Sequence, residues 1–170
     1  MLKTHHIAIA ALCLGLPQVF SKDAGKETKP EATAAKVIKI GAGDKKNPAA
    51  LSFTLKKFEV KAGEKVKIEL KNYSTFPKIA MGHSLVILNP GTDILTFGNK
   101  AVNPASGASL KTDYIPKDKK LLDKILHHTK LLGPNETETL EFTAPKAGIY
   151  PYICLFPGHY VLMKGQMIVK

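Results

Sequence analysis

From Lys36 onward the chain is a succession of short apolar/polar alternations broken by turns that contain glycine or proline. Val37-Ile38-Lys39-Ile40 reads as a strand closed by Gly41-Ala42-Gly43-Asp44. Leu51, Phe53 and Leu55 alternate with Ser52 and Thr54, the pattern of a half-buried strand. Phe58 to Lys61 and the alternation of Val66, Ile68 and Leu70 with Lys65, Lys67, Glu69 and Lys71 flank a turn at Ala62-Gly63-Glu64. His83, Leu85 and Ile87 fall on one face of a strand at 83–88, and Thr139 to Thr143, Ile149 to Cys154 and Gly165 to Lys170 supply later strands. Pro151 has no amide to donate, which predicts an irregularity or an unpaired edge in its strand. About eight such strands with polar outer faces predict an all-β fold, an antiparallel sandwich or barrel.

Two stretches interrupt that texture. Between 89 and 123 the signals Asn89-Pro90-Gly91, Gly98-Asn99, Asn103-Pro104 and Ser106-Gly107 predict a long flap with room for a helical turn or two near Thr92 to Phe97. Connections of such length are commonly functional. From Lys117 to Lys130, Leu121, Leu122, Ile125 and Leu126 stand at helical spacing under a lysine-rich face, predicting a helix that runs into a strand around Ile125 to Leu131. His127 and His128 have no Cys or carboxylate at ligand spacing and read as surface or packing residues.

The N-terminal stretch carries a different message. Lys3 precedes an apolar run from Ile7 to Leu16, and Val19 and Ser21 are acceptable at the −3 and −1 positions of a cleavage site, so residues 1–21 read as a secretory signal peptide. The run falls short of the roughly 20 apolar residues that span a bilayer. Residues 22–35, charged and small, form a flexible tether, and 36–170 form one domain. The expected location is the periplasm or another exported compartment, without a membrane span. The chain has 25 basic residues against 14 acidic ones, a formal charge of +11, yet contains no arginine. Nucleic-acid readers lean on arginine for bidentate contacts, so this charge is read as a solvated surface that steers acidic partners.

Cleavage would leave Cys154 as the chain's one thiol. An exported protein usually pairs its cysteines, and a metal is another way to occupy a lone sulfur. Cys154, His159 and Met163 stand within ten residues around a Pro157-Gly158 turn, and these soft donors favour copper over hard cations. A histidine opening a strand is more often a hydrogen-bonded core residue than a ligand. With that loop following 71 residues later, His83 reads as the remaining donor, and Gly82 lets its own carbonyl approach the same centre.

Met81-Gly82-His83, the run C-L-F-P-G-H-Y-V-L-M-K-G at 154–165 and His128-Thr-Lys-Leu-Leu-Gly133 resemble the azurin-like blue (type 1) copper proteins of the cupredoxin family, over residues 36 to 170. The resemblance implies an eight-stranded Greek-key sandwich with one copper ion at a pole. His83, Cys154 and His159 would be its ligands, Met163 a weak axial donor and the Gly82 carbonyl would lie opposite. It implies a one-electron carrier cycling Cu(I)/Cu(II), not an enzyme, that exchanges electrons through an exposed His159 edge. Met81, Phe156, Pro157, Tyr160 and Val161 would frame that edge as an apolar docking patch. Expected partners are redox proteins such as c-type cytochromes or copper or haem oxidoreductases with acidic surfaces; nucleic acid is not among them. Two features depart from the family: no second cysteine remains for an N-terminal disulfide, and there is no tryptophan, with Leu85 near its usual place. The competing function is a periplasmic copper-binding or carrier protein. A Cys154-His159 hydrolase would lack an orienting Asn or Asp, and would leave His83 and Met163 unexplained.

Overall fold

The computed structural model describes residues 34–170. The signal peptide and nearly all of the tether lie outside the described residues. Three strands, β1 (Lys36–Ala42), β3 (Lys65–Asn72) and β6 (Thr137–Thr143), form one sheet in the order β1-β3-β6. Five others, β2 (Lys57–Val60), β8 (Lys164–Val169), β7 (Gly148–Ile153), β4 (Val86–Leu88) and β5 (Ile125–His128), form a second in the order β2-β8-β7-β4-β5. The period-two pattern sets which face is buried. In β3, Val66, Ile68, Leu70 and Asn72 are buried while the residues between them reach solvent. Val66, Ile68 and Leu70 meet Phe58, Val60, Tyr150, Tyr152 and Met167 of the other sheet in one core. The fold is a β-sandwich.

Its sheets are mixed, which corrects the antiparallel expectation. β1 pairs with β3, and β2 with β8, in parallel register. Side chains alternate identically in both kinds of pairing, so hydrophobic pattern cannot separate them. The route of the chain decides: β2 lies in the opposite sheet, so the chain crosses between β1 and β3 and can return in the same direction.

Leu51 to Leu55 is not a strand of its own. Phe53 alone bridges, to Ala42, and the segment is held by Gly43 N donating to Ser52 O at 2.9 Å and Thr54 N to Gly41 O at 2.9 Å. Phe53 instead serves the core, edge-on to Tyr152 at 5.4 Å. Pro151 behaves as expected. It pairs with Gln166 of β8, while the pairing of β7 with β4 is confined to Tyr152 and Ile153.

The flap holds more structure than its turn signals predict. It carries α2 (Ile94–Ala101), two single 3-10 turns and α3 (Lys119–Leu122), after a one-turn α1 (Lys78–Met81) ahead of β4. Phe97, Ala101 and Leu121 of the flap pack with Val86, Leu88, Ile153 and Leu155 in a second apolar cluster. The outer face of β4 is therefore covered, and every residue from Gly82 to Leu88 is buried rather than every other one.

Gly98 is where the flap meets the loop after β7. A Cβ there would lie 2.3 Å from the Tyr160 ring, whose hydroxyl donates to Asn99 Oδ1 at 2.6 Å. Exchanging glycine for alanine inside a helix ordinarily stabilises by about 0.5–1 kcal/mol. Here overpacking against a held ring costs more, about 1–3 kcal/mol. Gly98→Ala should therefore lower the urea midpoint of unfolding, and a raised midpoint would show that the Tyr160 ring is free to move aside.

Candidate metal centre

Three side chains from two separate segments converge at one end of the sandwich. His83 lies just before β4, in an isolated bridge with Leu132: His83 N donates to Leu132 O at 3.1 Å and Leu132 N to His83 O at 2.8 Å. Cys154 follows directly after β7. The chain then turns through Gly158 at φ +84°, a left-handed value that glycine adopts without penalty, into a 3-10 turn at His159–Val161. Backbone bonds draw the loop together. His159 N donates to Phe156 O at 2.9 Å, Met163 N to His159 O at 2.7 Å, and Cys154 N to Met163 O at 3.1 Å. Cys154 Sγ consequently lies 3.8 Å from His83 Nδ1 and 3.6 Å from His159 Nδ1, and one donor atom from each residue falls within 4.8 Å of the others. Met163 is fully buried in the same core cluster as Cys154.

The pocket is nearly dry: His83 and Cys154 are fully buried and His159 is 5% exposed. Burial pushes both imidazoles down to about 4, with the nearby His159 ring adding to the effect at His83. Burial pushes the Cys154 thiol up to about 11, against the opposing pull of the Ser84 and Phe156 amides. At neutral pH both rings are unprotonated, the state that ligates. No carboxylate joins the cluster among the described residues, so a hard cation would find none of the charged oxygens it needs. His83 turns Nδ1 to the sulfur, at 3.8 Å, while its Nε2 is buried without a hydrogen-bond partner. Two imidazoles and a sulfur, without a competing carboxylate, fit copper.

The depressed histidines also predict how the metal-free protein responds to acid. Unfolding returns both rings to an ordinary value near 6.5, so the unfolded chain takes up protons first as pH falls. Their contribution to stability is complete above pH 6.5 and drains away as pH drops toward 4. Metal-free protein should lose roughly 4 kcal/mol of unfolding free energy between pH 7 and pH 5, about 2 from each ring. Urea titrations at the two pH values measure it, and equal midpoints would refute the burial argument.

Comparison with known proteins identifies the same chemistry. A family model for copper binding proteins, the plastocyanin/azurin family, matches residues 38–170. The chain belongs to that family. It is 34% identical over 121 residues to auracyanin-A of Chloroflexus aurantiacus, covering 71% of this chain and 68% of that one. It is likewise 34% identical over 110 residues to azurin-1 of Alcaligenes xylosoxydans xylosoxydans, covering 63% and 79% respectively. The solved structure of auracyanin A, a "blue" copper protein, superposes with a TM-score of 0.66 at 33% identity, over 81% of this chain and all of that one.

As a member of the plastocyanin/azurin family, the chain keeps copper as its metal, and the structure shows what surrounds the donors. Ser84 N donates to Cys154 Sγ at 3.5 Å and Ser84 Oγ accepts from Leu155 N at 3.3 Å, so one serine ties the two ligand segments together. A Cβ on Gly82 would lie 2.7 Å from Lys78 O and 2.8 Å from Leu131, so this glycine is required by close approach and not by an unusual φ.

Around the site, the residues expected to frame the metal fall in different places. Phe156 and Met81 are half-buried, and Pro157 and Val161 exposed. Tyr160 is turned inward under α2, which corrects its place in the patch. The His159 edge, expected to be exposed, is almost wholly covered. Exposed apolar side chains that alternation could not flag, Ile79 at 69% and Leu162 at 62%, flank the two ligand segments.

Sequence reading also passed over Asn72. Its Nδ2 donates to Leu132 O at 3.1 Å and Gly133 O at 2.8 Å, and its Oδ1 accepts from Ser74 N at 2.7 Å. Leu132 is the bridge partner of His83, so this buried amide fixes the segment that holds His83. An asparagine at a strand end reads locally as a turn residue, and nothing in its spacing signals a contact 60 residues away.

Proposed function

We propose that the protein is an exported one-electron carrier that holds a single copper ion between His83, Cys154 and His159, with Met163 and the Gly82 carbonyl as weak further donors. The observation that carries this reading is the convergence of two Nδ1 atoms on one sulfur, at 3.8 and 3.6 Å, in a site of almost no exposure. Copper bound there supplies one-electron chemistry by cycling between Cu(I) and Cu(II). The chain's part is to keep the donors still: backbone bonds close the 154–163 loop on itself, and the His83–Leu132 bridge anchors the remaining ligand. Donors that do not rearrange keep the cost of changing oxidation state low. Burial also keeps water from the metal, which favours electron exchange over substrate chemistry.

The signal-peptide pattern at residues 1–21 supports export to the periplasm. Electrons would pass through the narrow His159 edge, beside Pro157, Val161 and Met81. The formal charge of +11 favours partners with acidic surfaces, such as c-type cytochromes or copper or haem oxidoreductases. Absorption and EPR spectra of copper-loaded protein, followed by rapid cycles of reduction and reoxidation, test this reading. An intensely blue protein that keeps its metal through the cycles is expected. A colourless protein would overturn it, and copper lost on each reduction would point to a copper-binding or carrier protein instead.

A further inference from the structure

The flap contains a feature the copper site does not need for its ligands. Among the described residues three non-glycine positions have positive φ, and two are adjacent: Asp113 at 53° and Tyr114 at 58°. Side chains rarely accept this left-handed region, and consecutive residues holding it are kept there by what surrounds them. The turn is braced from within. Thr112 N donates to Ser109 O at 3.0 Å, Tyr114 N donates to the same oxygen at 2.8 Å, and Ser109 N donates to Thr112 Oγ1 at 3.0 Å. The two strained residues project to different ligand segments. The Asp113 carboxylate accepts from Lys78 Nζ at 3.3 Å, and Lys78 opens the helical turn leading into Gly82-His83. The Tyr114 ring stands edge-on to Phe156 at 5.4 Å and 73°, and Phe156 in turn lies over the His159 ring at 4.5 Å and 36°.

We propose that the Asp113–Tyr114 turn is a clamp that positions the copper ligands, holding His159 through Phe156 and the Gly82-His83 segment through Lys78. This rests on the ligand assignment above and adds two positioning residues to it. The geometry gives the strain a use: from this half-buried turn, two successive left-handed residues send their side chains to both segments. Of the two arms, the aromatic one carries more. Phe156 is half-buried, and without Tyr114 it would lose an aromatic neighbour and gain freedom to change rotamer. The Lys78–Asp113 pair is partly exposed and therefore weak.

The test measures Cu(I) affinity by competition with a coloured chelator, together with the NMR signals of the His159 ring in the Cu(I)-loaded protein. Tyr114→Leu should lower affinity about tenfold, the lower range seen when groups that orient ligands are lost, and should broaden or double the His159 signals. Tyr114→Phe keeps the ring and should match the wild type. Asp113→Asn, which suits a left-handed φ and removes only the charge, should lower affinity about threefold. Asp93→Ala is the control: it removes the cap that accepts from Thr96 N at the start of α2, loosening the flap away from the turn, and should leave both readouts unchanged. If Tyr114→Leu leaves both unchanged while the wild type binds copper, the clamp is overturned alone. An equal loss in Asp93→Ala overturns it too, since general loosening would then suffice. A wild type that takes up no copper overturns the ligand assignment itself.

Discussion

Cys154→Ser should abolish the intense blue absorption of the copper-loaded protein and, with it, rapid electron exchange. The colour expected of such a site arises from charge transfer between a sulfur and the metal, and no hydroxyl replaces it. The substitution is otherwise mild. Serine is nearly isosteric with cysteine, the Ser84 amide that donates to the sulfur at 3.5 Å would find an oxygen in its place, and the buried residue keeps a polar neighbour. Stability of the metal-free protein should therefore change by only about 1 kcal/mol. The two readouts separate the roles of one atom. Lost colour with retained fold marks Cys154 as a ligand; retained colour would end its assignment as the sulfur donor, and lost fold would make the residue structural.

The second large effect concerns the core beneath the site. Tyr152→Ala should cost about 3–5 kcal/mol, as truncation of a large buried aromatic does, and that is a substantial part of the 5–15 kcal/mol a domain has in all. Tyr152 is fully buried, meets Phe53 at 5.4 Å and Phe58 at 5.8 Å, and lies so close over Gly165 that a Cβ there would come 2.2 Å from its ring. Its hydroxyl donates to Leu55 O at 2.5 Å, across 97 residues of chain. Tyr152→Phe isolates that bond and should cost about 1 kcal/mol. Urea denaturation distinguishes the two, and an alanine variant no weaker than the phenylalanine one would mean that the cavity collapses without penalty.

These two residues also show what a sequence can reveal. The convergence of Cys154 and His159 is legible because ligand chemistry restricts residue type and a short loop restricts spacing, so the signal is local. Strands such as β3 were legible because burial of one face imposes a period of two. What escaped depends on contacts between distant segments. Nothing local marks the Tyr152 hydroxyl as tying down the segment around Phe53, and that segment's alternation imitates a strand. Parallel pairing of β1 with β3 leaves no mark on alternation. The inward turn of Tyr160 depends on Gly98 being small, a complementarity between residues 62 positions apart. The flap was opaque because its apolar residues answer to β4 and to the 154–163 loop, and not to a period of their own.

The place of β8 in its sheet has a consequence for the order of assembly. Among the described residues β2 has no neighbour in its sheet other than β8, and β8 begins at Lys164, immediately after Met163. Until the chain beyond Met163 is threaded between β2 and β7, the sheet remains in two pieces and the loop carrying three of the donors has only one anchored end. Sheet closure and completion of the metal site are therefore coupled, and whatever pulls β8 from its place also frees one end of the 154–163 loop.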